Sequence, residues 1–258
     1  MDRLLKKLLL LCLKKIDYGS AIAVRLTKIT GKSKEPIHPK HFLTLKPWYS
    51  TYVNNTDRVL DLGCGNGQSA IKISKISKAV IAVDINNDSL TIASRSAGRL
   101  GVKNIKFDKA NLEGKLKFKR NSFDKIIFLD VLEHLQNRDQ ILQEVKRILR
   151  PGGLLFLGVP NSQTSWKKLQ RSVGICSFSD PDHKIEFSES QIRKLLSNHG
   201  FTIKNFGYDH FDTPLRGIFD VIGGFSLPVY ERLSSWRQEK TKKNPQESGG
   251  FEIIATNS

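Results

Sequence analysis

Cysteine is scarce in this chain of 258 residues, where Cys12, Cys64 and Cys176 stand far apart. Their number is odd and no pair has C-x-x-C spacing, which excludes a disulfide framework and a cysteine-based metal site. The unbroken apolar run near the N-terminus, Leu8–Leu13, has six residues, whereas a membrane-spanning helix needs about 20. Lysines follow it at once and no small-residue cleavage site appears, which argues against a signal peptide. These absences predict a cytoplasmic protein.

Acidic residues are also in short supply. The chain has 42 Lys and Arg against 25 Asp and Glu, a net charge of +17. Residues 1–46 hold eleven basic and three acidic side chains, a net charge of +8. Such an excess favours attraction to a polyanion, either nucleic acid or an anionic membrane surface. Lysines that are simply solvated would give the same composition, so charge alone does not decide between these partners.

The first residues have the pattern of a basic amphipathic helix. One side of the predicted helix is apolar: Leu4, Leu5, Leu8, Leu11, Cys12 and Ile16. The other side is mainly basic: Arg3, Lys7, Lys14 and Asp17. Such a helix can lie in a membrane interface, and it can equally pack on a domain or pair with another chain. We therefore expect a basic helical extension over residues 1–46, followed by a main domain over residues 47–258.

From residue 58 onwards, strand and helix patterns alternate. Predicted strands cover residues 58–62, 79–85, 104–108, 124–130, 153–157, 201–208 and 251–258, and predicted helices cover 68–77, 88–101, 138–149 and 188–198. Asn137 and Gln140 have capping-box spacing at one of these helix starts. The polar stretch Gln238–Gly250 predicts a flexible loop. The alternation predicts an α/β fold, with a parallel sheet that carries helices on both faces.

Three features that could bind a ligand follow predicted strands. Gly63, Gly65 and Gly67 form a loop after the first strand, where glycine lets the backbone approach a ligand closely. Asp84 ends the second strand, 21 residues after Gly63, and its carboxylate can accept both hydroxyls of a ribose. Asn111 follows the third strand and can contact an adenine edge. In an open parallel sheet these strand ends form a ligand-binding edge, so a nucleoside ligand is expected there.

The details of the loop separate two nucleoside ligands. The pattern is D-x-G-x-G-x-G and not G-x-G-x-x-G, so Gln68 stands where a dinucleotide fold needs glycine for close helix packing. Asp61 precedes the loop, where a dinucleotide site usually has an apolar residue. A carboxylate there would repel a pyrophosphate but attract an ammonium group. This pattern favours an amino-acid-bearing nucleoside over NAD.

The motifs from residue 59 to 153 resemble, in order and spacing, those of class I S-adenosylmethionine-dependent methyltransferases, including the small-molecule O-methyltransferases of the ubiquinone pathway. The blocks are VLDLGCGNG at 59–67, AVDI at 82–85, NSFD at 121–124, DVLEHL at 130–135 and LRPGG at 149–153. They span about a hundred residues, and the ordered set is far more specific than any single block. The resemblance implies a Rossmann-like seven-stranded sheet whose last strand is antiparallel.

The resemblance also implies S-adenosylmethionine as cofactor and a set of contacts with it. The methionine part would be held by the glycine loop and its flanks, the ribose by Asp84, and the adenine by the residues after the second and third strands: Asp61, Gly63, Gly65, Gly67, Leu129 and Asp130 for methionine, and Ile85, Asn111 and Leu112 for adenine. One departure is Asn111, because relatives often have Asp in the corresponding A-D-L-E sequence. Asn keeps a carbonyl acceptor, so adenine binding is still expected.

His134 and His183 are the candidate general bases, since a base assists methyl transfer when the acceptor is a hydroxyl or an amine. His134 has a structural alternative, because the Leu-Glu-His triplet is widespread in the family and can serve to start a helix. A metal site is a second alternative, which is not favoured. Asp130, Glu133, His134 and His183 resemble the divalent-metal sets of small-RNA 2′-O-methyltransferases and ubiquinone-pathway enzymes. The cofactor role of Asp130 argues against it.

Two insertions interrupt the family pattern, at residues 161–185 and 209–250. Both leave the carboxyl ends of predicted strands, so we expect them to shape the acceptor pocket. The second is rich in apolar side chains, from Phe211 to Trp236, and is bordered by basic residues: Arg232, Arg237, Lys240, Lys242 and Lys243. Half of these apolar residues are expected to pack on the sheet. An apolar lid with a basic border suits an acceptor with a lipid tail.

Three functions follow from the sequence. The favoured one is O-methylation of a small-molecule or lipid-linked acceptor, with a peripheral contact to an anionic membrane as an open option. The second is methylation of RNA, which the charge supports but for which no RNA-binding module stands out. The third is a non-catalytic binding protein on the same fold. The sequence leaves the oligomeric state, the acceptor atom and the acceptor itself open.

Overall fold

The computed structural model describes residues 3–17, 19–43 and 46–257. The strands are β1 (Arg58–Leu62), β2 (Ala79–Asp84), β3 (Ile105–Lys109), β4 (Phe123–Leu129), β5 (Leu149–Pro160), β6 (Phe201–Tyr208) and β7 (Gly250–Asn257). The helices are α1 (Arg3–Asp17), α2 (Ser20–Ile29), α3 (Gln68–Ser74), α4 (Asn87–Arg99), α5 (Arg138–Ile148), α6 (Ser165–Ser172), α7 (Glu189–Asn198), α8 (Arg216–Phe225) and α9 (Leu227–Lys243).

The seven strands form one sheet with the order β3-β2-β1-β4-β5-β7-β6. The pairs β1–β2, β1–β4, β2–β3 and β4–β5 are parallel, and the last strand, β7, runs antiparallel. The predicted Rossmann-like fold with an antiparallel last strand is confirmed. Because β1 and β2 pair in parallel, with Asp61 opposite Ala82, their carboxyl ends lie at the same edge of the sheet.

The described residues divide into two compact units. The sheet unit comprises residues 46–159, 189–207 and 251–257, and the helical unit comprises residues up to 43, 160–188 and 208–250. The helical unit therefore combines the N-terminal segment with the two insertions of the family pattern. None of the described helices is both long enough and apolar enough to cross a bilayer.

The core of the sheet unit lies where β1, β2 and β4 pack against flanking segments. Its buried cluster includes Val59, Val80, Ala82, Ile127, Phe156 and Ile254 from the sheet, together with Tyr49, Val53, Ala70 and Ile73 from flanking segments. In the central strand β1, the apolar residues Val59, Leu60 and Leu62 are all buried, as expected for a strand covered on both faces. This buried core holds the strand ends in place, and the loops that carry the predicted site residues begin at those ends.

Two local predictions were wrong. Residues 238–243, predicted as loop, continue helix α9, where Thr241 is buried and the hydroxyl of Thr241 donates to the carbonyl of Arg237 at 3.1 Å. Asn137 stands at the N-cap of α5 but makes no side-chain capping bond there. Instead its backbone N–H donates to the carboxylate of Glu113 at 3.0 Å.

Candidate functional site

The three glycines of the loop after β1 have positive φ angles but different surroundings. A Cβ on Gly63 (φ +71°) would meet Val131 at 2.4 Å, and one on Gly67 (φ +73°) would meet Ala93 at 2.7 Å. Gly65 (φ +49°) has no atom within 4 Å of its Cβ position. Gly67 thus supplies the close packing against α4, whereas Gly65 borders open space that a ligand can enter.

Asp84 ends β2 directly beside this loop. Its Oδ2 accepts a hydrogen bond from the backbone N–H of Gly65 at 2.8 Å, and its Oδ1 accepts one from the N–H of Asn86 at 2.8 Å. A carboxylate has about four acceptor positions, so roughly two remain for other donors. Asp84 is therefore held in place by the backbone and can still accept the two hydroxyls of a ribose.

Asp61, at the end of β1, is a buried carboxylate with an exposed fraction of 3%. Among the described residues, no group donates a hydrogen bond to its Oδ2. Burial raises the pKa of Asp61 to about 7, against a lowering by the backbone N–H of Ala70, and the nearby charge of Asp84 adds to the rise. A buried carboxylate without a donor is costly, which indicates a site built for a cationic or N–H ligand group.

Tyr49 belongs to the same neighbourhood, and sequence reasoning missed it. Its ring is 1% exposed and stacks on Phe156 at 5.0 Å between centroids. Burial and, next, the charge of Asp61 raise the pKa of the Tyr49 hydroxyl above its ordinary value. The aromatic cluster of Trp48, Tyr49 and Tyr52 shortly before β1 was the available signal, but aromatic residues before a strand are usually read as core.

The residues predicted to contact adenine lie after β2 and β3. Ile85 is exposed, with 59% of its surface accessible, and Leu112 is buried. Asn111 is exposed, and its Oδ1 accepts a hydrogen bond from the N–H of Glu113 at 3.0 Å. The N–H of Ala110 donates to the carbonyl of Asp84 at 3.0 Å, which ties this loop to the end of β2. Ile85 is thus available for an aromatic ring, and the amide of Asn111 is oriented by its own turn.

Leu129 is the last residue of β4, which lies next to β1 in the sheet, and Asp130 follows it. Asp130 has φ +56°, an unusual conformation for a residue other than glycine, and its N–H donates to the carbonyl of Gly158 at 3.1 Å. Strained backbone at the end of a parallel strand is typical of functional sites. A short 3-10 turn, Leu132–His134, comes next, in which Glu133 is buried and His134 is half-buried.

The profile of a methyltransferase domain matches residues 54–208, which is more than half of the chain and includes every residue that the sequence predicted to contact the cofactor. The chain belongs to the S-adenosylmethionine-dependent methyltransferase family. This methyltransferase domain accounts for the loop of glycines, the acid at the end of β2 and the LEHL turn in one pattern, and the predicted family membership is confirmed.

Curated relatives are about one quarter identical to this methyltransferase over the residues that align. A ubiquinone biosynthesis O-methyltransferase of Colwellia psychrerythraea is 24% identical over 165 residues, 62% of this chain and 66% of the relative. A probable S-adenosylmethionine-dependent methyltransferase of Mycolicibacterium smegmatis is 27% identical over 147 residues, 57% of this chain and 52% of the relative. The matches thus span half to two thirds of these relatives.

Solved structures of methyltransferases share the fold. One from Methanosarcina mazei superposes with a TM-score of 0.58 and 24% identity, covering 83% of this chain and 98% of the other. A putative methyltransferase from Bacillus halodurans gives a TM-score of 0.58 at 17% identity, covering 80% and 94%. Identities this low establish the fold of the methyltransferase and leave its substrate open.

The residues of the sheet unit fit S-adenosylmethionine. The α-ammonium group suits the buried carboxylate of Asp61, whose Oδ2 has no donor among the described groups. The ribose hydroxyls suit Asp84, and the open space at Gly65 leaves room for the backbone of the methionine part. The two side chains are carboxylates, which attract the cationic groups of the cofactor and would repel a pyrophosphate.

His183, the second candidate base, lies in the helical unit, at the centre of a buried charged cluster. Its Nδ1 lies 3.0 Å from Oε1 of Glu186, whose Oε2 lies 2.5 Å from the ammonium of Lys167. Burial alone would raise the pKa of Glu186, but the bonds from His183 and Lys167 lower it to about 2. Because the ionised carboxylate of Glu186 can only accept a hydrogen bond, Nδ1 of His183 must carry the proton. When the ring of His183 is neutral, its lone pair is therefore on Nε2.

The metal alternative draws on Asp130, Glu133 and His134 from the sheet unit and on His183 from the helical unit, and it stays a prediction. The roles of His134 and His183 as bases are likewise proposals. The structure shows that the two imidazole rings have different local environments. His134 belongs to a 3-10 turn after β4, and His183 is oriented by a carboxylate that is ionised above a pH of about 2.

Proposed function

We propose that this chain transfers the methyl group of S-adenosylmethionine to an oxygen of a small-molecule or lipid-linked acceptor. The observation that carries the proposal is the buried carboxylate of Asp61, which stands beside the glycine loop and Asp84 and whose Oδ2 has no donor in the part of the chain that the structure describes. This combination suits a ligand with an ammonium group and a ribose, and S-adenosylmethionine has both.

In this proposal the residues of the site bind and orient, because the cofactor itself supplies an activated methyl group on a sulfonium. Asp61 holds the ammonium, Asp84 holds the ribose hydroxyls, and Ile85 packs on the adenine. Fixing one reactant in this way leaves alignment of the acceptor as the main requirement for transfer. His134 would accept the proton of an acceptor hydroxyl through an imidazole nitrogen.

Oxygen as the acceptor atom is supported by the relatives that are named ubiquinone biosynthesis O-methyltransferases. A lipid tail on the acceptor is supported by the helical unit, in which Ile218, Phe225 and Val229 are exposed apolar side chains. The net charge of +17 instead favours RNA as the acceptor, and this second candidate can be tested in the same assay.

The test has two stages. Isothermal titration first measures S-adenosylmethionine binding by the full chain, with NAD as the competing nucleoside. Transfer of the tritiated methyl group is then measured to a short-chain polyprenylated catechol, to the same catechol without its tail, and to total RNA. We expect binding of S-adenosylmethionine but not of NAD, and label in the polyprenylated catechol.

A variant separates catalysis from binding. His134→Gln should lower kcat at least a hundredfold while the dissociation constant of S-adenosylmethionine stays within about twofold, because loss of a general base costs about 10²–10⁴ in rate. His199→Gln is the matched control, since His199 lies at the end of α7 and is bonded to the carbonyl of Leu195. If label appears in RNA alone, the proposed lipid-linked acceptor is wrong and RNA is the acceptor. If the chain does not bind S-adenosylmethionine, the proposed methyl transfer is wrong and a non-catalytic binding protein is the remaining function.

A further inference from the structure

Helix α1 packs on the helical unit by only one side. Leu10 and Lys14 are buried, and Leu10 contacts a cluster formed by Trp166, Val173 and Ile175. The ammonium of Lys14 donates to the carbonyl of Phe178. The leucines that the amphipathic pattern predicted as the apolar face, Leu4, Leu8 and Leu11, are exposed instead. The side chains of Arg3, Leu5, Ile16 and Asp17, which belong to the same pattern, lie outside the described residues.

Helix α2 presents a second exposed apolar set. Ala23 and Thr27 face inward and are fully buried. On the outer face, Ile22 and Ile29 have 57% and 78% of their surface exposed. Their spacing of seven residues places them two turns apart on one side of the helix. Isolated exposed isoleucines are ordinary, but two on one face of a helix form a pattern.

Helix α8 has an outer face without charge. Leu215, Ile218, Ile222 and Phe225 follow each other at spacings of three and four residues, and all are exposed except the half-buried Ile222. The opposite face consists of small or buried residues. Among the residues of α8, Arg216 and Asp220 are the charged ones, and Asp220 is buried.

Close packing of α2 on α8 joins these faces. A Cβ on Gly19 would lie 2.4 Å from the carbonyl oxygen of Gly217, and one on Gly224 would lie 2.6 Å from Leu26. The hydroxyl of Thr30 donates to the carbonyl of Gly224 at 2.9 Å. The two helices therefore run side by side and end together. Ile29 and Phe225 are the neighbours of Thr30 and Gly224, so these two highly exposed apolar residues stand at the same end.

Basic side chains accompany the apolar ones on α1 and α2. Lys7, Lys15, Arg25 and Lys28 are exposed, and the described side chains of these two helices include no acidic residue. Arg25 and Lys28 lie between Ile22 and Ile29 on the outer face of α2. Leucines and isoleucines with interspersed lysine and arginine are the composition of surfaces that insert shallowly into anionic bilayers.

We propose that the outer faces of α1, α2 and α8 form a docking surface for an anionic lipid bilayer. The surface consists of Leu4, Leu8, Leu11, Ile22, Ile29, Leu215, Ile218 and Phe225, with Lys7, Lys15, Arg25 and Lys28. The apolar side chains enter the interface and the basic ones bind lipid phosphates. Ile218 and Phe225 also support the proposed lipid acceptor. The docking surface is nevertheless tested separately from the proposed reaction, because vesicle binding needs neither cofactor nor acceptor.

Other occupants fit these faces less well. A second copy of the chain would bring Arg25 and Lys28 close to their own counterparts, and like charges across an interface cost several kcal/mol. Nucleic acid would find the positive charge but mainly leucine and isoleucine between the charges, which offer no stacking platform for bases. A bilayer is the partner that uses both the apolar and the basic side chains.

The experiment is vesicle flotation with the full chain at low salt. One set of vesicles contains phosphatidylcholine alone, and the other contains about a third of phosphatidylglycerol. We expect binding to the anionic vesicles that weakens with added salt. Ile29→Ser/Phe225→Ser should reduce the partition coefficient at least tenfold, because two large apolar side chains leave the interface. Arg25→Gln/Lys28→Gln should reduce it about fivefold for each charge removed.

Matched controls address folding and general charge. Leu100→Ser removes an apolar side chain that is 61% exposed in the sheet unit, and Lys117→Gln/Lys119→Gln removes two exposed charges there. These variants should bind vesicles as the unchanged chain does, and all variants should keep its melting temperature within a few degrees. The proposal fails if the full chain ignores anionic vesicles. It fails equally if the control variants lose as much binding, if the Ile29/Phe225 variant changes only a monomer–dimer equilibrium, or if polyuridylate is bound through these residues and vesicles are not.

Discussion

The backbone N–H of Gly65 donates a hydrogen bond to Oδ2 of Asp84 at 2.8 Å. This bond ties the loop after β1 to the acid that ends β2. The second oxygen of Asp84 is held by the N–H of Asn86 at 2.8 Å, so the carboxylate is oriented without any ligand. Orientation before binding lowers the entropy cost of binding, because fewer groups must be ordered when the ligand arrives.

Removal of this carboxylate should weaken cofactor binding. Asp84→Ala is expected to raise the dissociation constant of S-adenosylmethionine at least tenfold, a loss of about 1.4 kcal/mol or more, because two hydroxyl donors lose their acceptor. Isothermal titration measures the change. Asp88→Ala, an exposed acid in the first turn of α4, is the control and should change the constant less than twofold. Equal effects of the two substitutions would mean that the ribose lies elsewhere.

The pKa of Asp61 predicts a pH dependence of cofactor binding. With a pKa raised to about 7 by burial, Asp61 is protonated in the free protein below that pH, whereas binding of an ammonium group requires the ionised form. The dissociation constant of S-adenosylmethionine should therefore be level just above pH 7 and rise about tenfold for each pH unit from 7 down to 5. Titration calorimetry in two buffers of different ionisation enthalpy should also detect uptake of protons by the buffer.

The same residue should limit stability. Because the folded pKa of Asp61 is raised, its contribution to stability is largest at low pH and is lost as the pH rises through about 7. Asp61→Asn should thus stabilise the ligand-free protein above pH 7 by roughly 1–3 kcal/mol, the cost of a buried unpaired polar or charged group. Urea unfolding at pH 5 and pH 8 measures this. A variant that is destabilised at pH 8, or whose cofactor affinity still falls at low pH, contradicts the assignment.

Alanine substitutions at two glycines with positive φ can separate an effect on the ligand site from an effect on folding stability. Gly65 (φ +49°) and Gly152 (φ +73°) both have nothing within 4 Å of a Cβ, so alanine at either should cost only the left-handed conformation, about 1–2 kcal/mol. Gly65→Ala should in addition raise the dissociation constant of S-adenosylmethionine at least tenfold, because the methyl group enters the proposed site. Gly152→Ala should leave it unchanged. Unfolding curves and titration of both variants decide the matter, and equal affinities would place the cofactor away from Gly65.

The buried pair Lys167 and Glu186 predicts strong coupling in the helical unit. Glu186→Gln leaves the ammonium of Lys167 buried without a counter-charge and should cost about 3–5 kcal/mol near neutral pH. Since the pKa of Glu186 is lowered to about 2, the stabilisation should persist above pH 4.5 and decline as the pH falls toward 2. The double variant Lys167→Met/Glu186→Gln should be more stable than Glu186→Gln alone.

Denaturant unfolding of Glu186→Gln, of Lys167→Met and of the double variant measures this coupling. Glu189→Gln, which breaks an exposed pair with Arg193, is the control and should cost less than about 0.5 kcal/mol. Strictly additive losses in the buried pair would show that its charges do not interact in solution.

Much of the sheet was predictable because its signals are local. The strand 58–62 was placed at its observed bounds, and the helix ending near Gly101 begins one residue before the predicted start. Short apolar runs and glycines at turns carry this information within a few residues. The site shares this advantage, since Asp61, the glycines and Asp84 lie at ends of paired parallel strands, where sequence order already implies proximity.

The helical unit was not predictable in the same way, because long-range contacts determine it. Asp220 accepts hydrogen bonds from Ser20 at 2.5 Å and from Tyr230 at 3.0 Å, and it pairs with His38 at 3.3 Å. No periodic pattern links positions separated by 200 residues. Residues 238–243 were predicted as loop because their sequence is polar, and the burial of Thr241 in the folded chain is not visible in that local pattern.

The distance in sequence between Ser20 and Asp220 has a consequence for synthesis of the chain. Helix α2 is synthesised long before its partner, since it cannot meet Gly217 and Gly224 until α8 has been made. Until then, its leucine and isoleucines lack these neighbours. A lipid surface or a chaperone that shelters this helix during translation would therefore raise the yield of folded chain.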